Sequence, residues 1–233
     1  MLDRKSGAVG MLVKSALVLS VTLASSTVLS TSTFAETTLS IYGGANFSPH
    51  SRVEYHNSLT NTTTTTAVGW DGASFKMPPY YGVRATWWLD SAPEFGVALD
   101  FTHAKVEAAP LPAGFTTLEF TDGINYLTVN AMYRWDMGNG FTPYVGLGAG
   151  LTIPHVEVEA PGILQGRTFE YQVTGLAAQA LAGVSYQFDD NWSMFGEIKT
   201  NYGVVNARLF GGDTLKTNII NNQVIFGFTY KLF

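Results

Sequence analysis

The chain has 233 residues, no cysteine, and 13 Lys+Arg against 18 Asp+Glu, for a net charge of −5. Only 13% of its residues are charged, about half the share of an average soluble domain, while 24 glycines, 15 Phe, 11 Tyr and 5 Trp fill much of the difference. This balance excludes an electrostatic nucleic-acid binder, and the missing cysteine excludes a disulfide scaffold, a thiolate metal site and a cysteine nucleophile.

Arg4, Lys5 and Lys14 precede an apolar stretch from Ala16 to Leu29, and Thr33-Phe34-Ala35 offers the small residues of a cleavage site. Residues 1–35 therefore read as a secretory signal peptide, too short in its apolar run for a spanning helix. Residues 36–233 are left to fold.

From there the chain alternates. Leu127, Val129, Ala131, Tyr133 and Trp135 face opposite to Thr128, Asn130, Met132 and Arg134. Val145, Leu147, Ala149, Leu151 and Ile153 alternate with glycines and threonine, and Val224, Phe226, Phe228, Tyr230 and Leu232 share one face near the end. Neighbouring side chains on a strand point to opposite faces, so each segment has an apolar and a polar or glycine-rich side. Eight strands are predicted, at 38–50, 75–89, 95–105, 122–135, 142–156, 170–188, 192–206 and 217–233.

The connections alternate between tight turns, such as Asp136-Met137-Gly138-Asn139-Gly140, and long stretches at 51–74, 106–121, 157–169 and 207–216. That is the pattern of an all-β, eight-stranded antiparallel transmembrane β-barrel of the outer membrane, with long loops extracellular and both termini periplasmic. A soluble β-sandwich is the alternative. Aromatics near strand ends (Tyr80, Tyr81, Trp87, Trp88, Tyr133, Trp135, Tyr144, Tyr186 and Trp192) read as interfacial girdles. Arg84, Asp100, Arg134, Glu197 and Lys199 share the inward parity and read as a packing network filling a narrow lumen. The threonine run from Thr62 to Thr66 reads as loop filler, and Pro78-Pro79 as a bulge or bend near the outer rim.

Three of the four histidines end outward-running strands: His50, His103 and His155. Glu119, Asp122, Glu157 and Glu170-Tyr171-Gln172 arrive at the same rim. Imidazole moves protons near neutral pH and binds metals, and carboxylates orient it or complete a cation site. Scattered polar groups at the wet end of a barrel are the plainer explanation.

Several stretches resemble the lipid A oxidase family of α-proteobacterial outer membranes. They are SPHSRVE (48–54), SFKMPPYYGVRATWW (74–88), DFTHAKV (100–106), LEFTDGINYLTVNAMYRW (118–135), FTPYVGLGAGLTIPHVEV (141–158) and FEYQVTGLAAQ (169–179). The resemblance implies oxygen-dependent oxidation of the proximal glucosamine of lipid A to 2-aminogluconate with release of hydrogen peroxide; it assigns no catalytic residue. On chemical grounds His50, His103, His155, Asp122 and Glu170 are the catalytic candidates, and His50, His103, His155 and Glu157 the metal candidates. Arg52 and Lys105 would attract the anionic groups of lipid A, with Tyr171 a weaker hydrogen-bonding candidate. No flavin or NAD is expected, since neither fold fits so small a barrel, and a divalent metal ion is the favoured oxygen-activating group. Expected partners are lipopolysaccharide of the outer leaflet and the barrel-assembly machinery. Two other readings stand beside the oxidase: a non-enzymatic surface barrel acting as adhesin or envelope scaffold, and an acyl-chain hydrolase using Ser48 and His50.

Overall fold

A computed structural model of the chain describes residues 34–233, so most of the predicted signal segment lies outside the described residues. Twelve strands follow one another: β1 (Phe34–Asn57), β2 (Thr62–Asp71), β3 (Tyr81–Leu89), β4 (Ala92–His103), β5 (Val106–Ala108), β6 (Thr117–Phe120), β7 (Ile124–Arg134), β8 (Phe141–Glu159), β9 (Thr168–Tyr171), β10 (Gly175–Gln187), β11 (Trp192–Arg208) and β12 (Thr214–Lys231). Eight of them close a ring of antiparallel neighbours in the order β1, β3, β4, β7, β8, β10, β11, β12 and back to β1. This is the predicted barrel. Closure of the ring leaves it no free sheet edge, so its ladders pair strand to strand all the way round.

Along the half nearest the termini the alternation runs apolar outward and polar inward. Leu39, Ile41, Val97, Leu99, Val129, Leu147, Ile198 and Val224 are exposed outside, while Asp100, Thr128, Asn130, Gln179 and Glu197 are buried inside. The outward band is what lipid demands. The charges of the lumen are fully paired. The Arg84 guanidinium donates to Asp100 Oδ2 at 3.0 Å and to Glu197 Oε2 at 2.7 Å. Lys199 Nζ donates to Asp100 Oδ2 and to the Tyr42 hydroxyl, both at 2.8 Å. Tyr144 donates to Glu197 and Gln179 to Asp100, each at 2.9 Å. Two cations thus face two carboxylates with hydrogen bonds to spare, the condition under which buried charge is tolerated. The set closes the lumen, leaving a cavity of about 150 Å³ on the terminal side.

Arg134 also faces the lumen as expected, but on the terminal side of the four-charge cluster, where it bonds to Glu36 at 2.9 Å and lies 4.0 Å over the Trp88 ring. Trp88, Tyr80 and Tyr144 leave the predicted girdles, because all three are buried. Tyr80 and Tyr144 bond to Gln223 and Glu197 of the lumen.

The predicted long loops are largely sheet. β2 pairs with the far half of β1, β5 with β2, β6 with both β5 and β8, and β9 with β8. The threonine run lies in β2, opposite Val53 to Asn57, where β-branched residues suit a pleated surface. In this extension the alternation inverts. Val53, Val68, Val106, Leu118, Phe120, Val156, Val158, Val205 and Leu215 are buried inside it, as in a water-surrounded sheet. Pro78 and Pro79 fall in the connection before β3 rather than within a strand, consistent with proline's missing donor.

Asp213 ties three connections of the extension together. Its carboxylate accepts the Ser58 and Gln165 backbone N–H groups, both at 2.8 Å, and the Gln165 side-chain amide at 2.9 Å. Burial alone pushes this carboxyl upward, but those three donors outweigh it and hold the group below the ordinary aspartate value of 3.8. A depressed carboxyl contributes its stabilisation above the unfolded value and loses it as pH falls through the folded one. The Ser58 and Gln165 amide resonances should therefore shift together on acidification, with a midpoint below 3.8. In Asp213→Asn they should be displaced at neutral pH. In the lumen, Arg84→Met leaves two buried carboxylates facing one ammonium. It should cost about 3–5 kcal/mol of unfolding free energy in lipid vesicles, and an unchanged urea midpoint would show the network to be dispensable.

Candidate functional site

Four barrel strands stop short at the far end. β3 begins at Tyr81, β4 ends at His103, β7 begins at Ile124 and β10 begins at Gly175, whereas β1, β8, β11 and β12 run on into the extension. The result is a shoulder on the outer wall, above the apolar band and below β5 and β6. His103 and His155 both face it. His103 has the parity of Val97 and Leu99 on β4, and His155 that of Leu147 and Leu151 on β8, so both imidazoles point away from the lumen.

His155 is the better built of the two. Its Nδ1 lies 3.0 Å from Glu157 Oε1 and 3.7 Å from Asp122 Oδ2. Glu157 is two residues further on the same strand face, and Asp122 arrives on the turn before β7, where the Gly123 carbonyl accepts the His155 backbone N–H at 2.8 Å. The ring is held between Phe169 at 4.5 Å and Tyr171 at 4.6 Å, both contributed by β9. Tyr171 stays in place by donating to the Asp122 carbonyl at 2.7 Å. Arg167 Nη2 stands 3.9 Å from Glu157 and packs 4.9 Å over Phe169, placing a half-exposed cation at the mouth. Glu119 faces Glu157 in register across β6 and β8. Burial first, then that facing carboxylate, pushes the Glu119 carboxyl above its ordinary range.

His103 lies beside this group, stacked on Tyr81 at 4.8 Å. Its Nδ1 is 2.9 Å from Asn125 Oδ1, and the Asn125 amide donates to the Ile153 carbonyl at 3.1 Å. That second bond fixes the amide orientation, so Nδ1 is the donor and a neutral His103 carries its lone pair on Nε2. Nε2 is buried without a well-formed hydrogen bond, although the Pro78 carbonyl approaches the ring.

The other predicted site residues lie elsewhere. His50 and Arg52 line an open hollow with Thr65, Thr66 and Ala67 of β2, separated from β8 by β5 and β6. His50 therefore shares no metal site with His155, and His103 is also outside the cluster whose ligand atoms converge. That cluster is Asp122, His155 and Glu157, with one atom from each within 4.8 Å of the others. Glu170 is in register with Val156, one residue out of step with His155, and accepts from Gln172 instead. Lys105 is buried and donates to the Met77 carbonyl at 2.9 Å. Ser48 accepts from Asn221 inside the lumen, so it forms no hydrolase pair with His50. Sequence reasoning missed Tyr81, Asn125, Arg167 and Phe169. The first two share strand parity with the histidines or their lipid-facing neighbours, a signal present in the alternation itself.

Gly123 holds the shoulder together. Its φ is +112°, and an added Cβ would lie 2.5 Å from His103 Nδ1. Gly123→Ala should cost about 1–3 kcal/mol and break the His103–Asn125 bond, read as a shifted His103 ring resonance with the lumen signals unmoved.

Residues 89–231, more than half of the chain, match the model of a family described as Opacity family porin protein. No curated protein matches the chain. Among solved structures, OprG of Pseudomonas aeruginosa is 14% identical with a TM-score of 0.49, over 85% of this chain and 97% of its own. Neisserial surface protein A is also 14% identical, with a TM-score of 0.47 over 83% of this chain and 96% of its own. With a closed eight-stranded ring, an outward apolar band and this family match, the chain belongs to the Opacity family of porin proteins and is a β-barrel of the outer membrane.

Proposed function

We propose that the barrel is a lipid A oxidase that converts the proximal glucosamine of lipid A to 2-aminogluconate. One observation carries this reading: a histidine oriented by two carboxylates stands on the outer wall immediately above the lipid-facing band. His155 is two residues beyond Ile153 on the same face, roughly 7 Å further along the strand. With the short turns periplasmic and the extension outside, that height is where the sugars of outer-leaflet lipopolysaccharide lie. The lumen supports the same conclusion from the other side, since its charges are locked in neutral pairs and offer a substrate no passage.

The chemistry divides simply. Oxidation of the sugar's anomeric centre breaks one C–H and one O–H bond, and the two electrons and two protons reduce oxygen to hydrogen peroxide. The lactone that results is opened by water to the acid. With Glu157 accepting the Nδ1 proton, His155 presents a basic Nε2 to the anomeric hydroxyl, and Glu157 stabilises the imidazolium that forms. Phe169 and Tyr171 keep the ring from turning. Arg167 is placed to meet an anionic group of the lipid. In place of its proton, His155 Nδ1 with the Asp122 and Glu157 carboxylates would also fit a divalent cation, Nε2 then carrying the ring hydrogen, because separations of 3.0 and 3.7 Å from Nδ1 are close to those between ligands of one ion. Such an ion, when bound, supplies Lewis acidity and a route for electrons to oxygen.

A non-enzymatic surface barrel remains the second reading, favoured by the Opacity match itself. Mass spectrometry of lipid A incubated in air with the purified, reconstituted barrel separates the two. The oxidase reading expects a gain of one oxygen with an equivalent of peroxide. His155→Ala and Glu157→Gln should slow it about 10²–10⁴-fold while the barrel keeps its heat-modifiable migration. Unchanged lipid A supports the scaffold, and loss of an acyl chain supports a hydrolase.

A further inference from the structure

The connection between β2 and β3, residues 72–80, is pinned at four points and yet displays its largest apolar side chains. At one end the Ser74 hydroxyl accepts the Asn46 backbone N–H and donates to the Asn46 side chain, both at 2.9 Å. At the other, Tyr80 bonds through its N–H to the Ser74 carbonyl at 2.8 Å and through its hydroxyl to Gln223 of the lumen at 2.7 Å. Between them the Met77 carbonyl accepts from the buried Lys105 ammonium at 2.9 Å, and Lys76 pairs with Glu107 at 2.5 Å. Phe75 and Met77 stand out from this fixed backbone at 83% and 82% exposure.

A loop held this firmly does not display a phenylalanine and a methionine through slackness. Its position says what meets them. The β1–β3 pairing ends at Gly43 and Tyr81, and beyond it the loop runs along the same flank of β1, beside Asn46. Phe47 on that stretch and Tyr81 at the head of β3 are exposed members of the outward band. Phe75 and Met77 thus lie next to the exposed Phe47 and Tyr81, just beyond the last β1–β3 pair. Lys76, between them, reaches back to Glu107, as amphipathic side chains do at a membrane interface. Lys105 and the Pro78 carbonyl place the same loop against His103.

We propose that residues 75–79 form a wedge seated among the acyl chains of the outer leaflet, parting the lipid beside the His103 shoulder. The wedge rests on the barrel's place in the membrane and not on the oxidase chemistry, so either can fail while the other stands.

The chain has no cysteine, so a single introduced thiol carries a single nitroxide. Phe75→Cys and Met77→Cys are labelled in phosphatidylcholine–phosphatidylglycerol vesicles, with Leu147→Cys marking the lipid band and Leu59→Cys the tip of the extension. All four positions are strongly exposed, so none of the substitutions removes a packed core contact. The oxygen-to-nickel-chelate accessibility ratio at 75 and 77 should match that at 147 and exceed that at 59 several-fold. Ratios at 75 and 77 equal to that at 59, in barrels with unchanged heat-modifiable migration, would overturn the wedge.

Discussion

One constraint organises the molecule: the medium outside the wall changes part-way along the strands. Where lipid lies outside, every backbone group must be paired within the protein and the outward faces must be apolar. Where water lies outside, the same strands gain by turning apolar faces inward. β8 carries both regimes. Leu147 is 70% exposed near its start, while Val156 and Val158 are fully buried near its end. Consecutive residues alternate faces, so the switch from odd to even apolar positions marks the boundary within a few residues. β1 makes the same change through an irregularity between Phe47 and Glu54, which shifts its register against β12.

The shoulder follows from that change. A polar-filled barrel and an apolar-filled cup need different neighbours, and the chain joins them by ending β3, β4, β7 and β10 and inserting β2, β5, β6 and β9. Side chains at the join belong fully to neither regime. His103 and His155 keep the outward parity of the lipid band, yet both are buried, because the turns and β9 fold over them. A histidine on a lipid-facing row would be costly if bare. Here aromatic rings cover both imidazoles, with Asn125 bonded to His103 and the Asp122 and Glu157 carboxylates beside His155.

The ring of eight was legible because each spanning strand must alternate over its whole length, and a pattern that long survives a poor boundary. The extension was not. β5 and β6 have three and four residues, too few for a period to register, and the threonines of β2 have the composition of filler. What makes them sheet is the core they share: Val53, Val68, Val106 and Leu118 come from four separate strands, and no local window contains them together. The site was half legible. His155, Asp122, Glu157 and Tyr171 were named from their chemistry and do converge. His50 and Glu170 were grouped with them because every strand end was treated as one rim, whereas two intervening strands and a one-residue step in register keep them apart. Carrying the Leu147–Ile153 row two residues further would have put His155 on the outer wall.

That placement separates two sets of polar groups, one in the lumen and one on the outer wall. Groups in the lumen are committed: Asp100 accepts from Arg84, Lys199, Tyr42 and Gln179, and Glu197 from Arg84 and Tyr144. Protonating either carboxylate would leave a buried cation without its counter-charge, so these groups are tied to one another rather than open to a substrate. On the shoulder the reverse holds. Nε2 of His103 lacks a well-formed hydrogen bond, Glu157 is opposed by another carboxylate, and Arg167 is half-exposed with its nearest carboxylate 3.9 Å away. Under the proposed oxidase reading, the groups on this wall, bordered by the apolar band below and the extension above, are the ones placed to meet the polar part of a lipid anchored in the membrane.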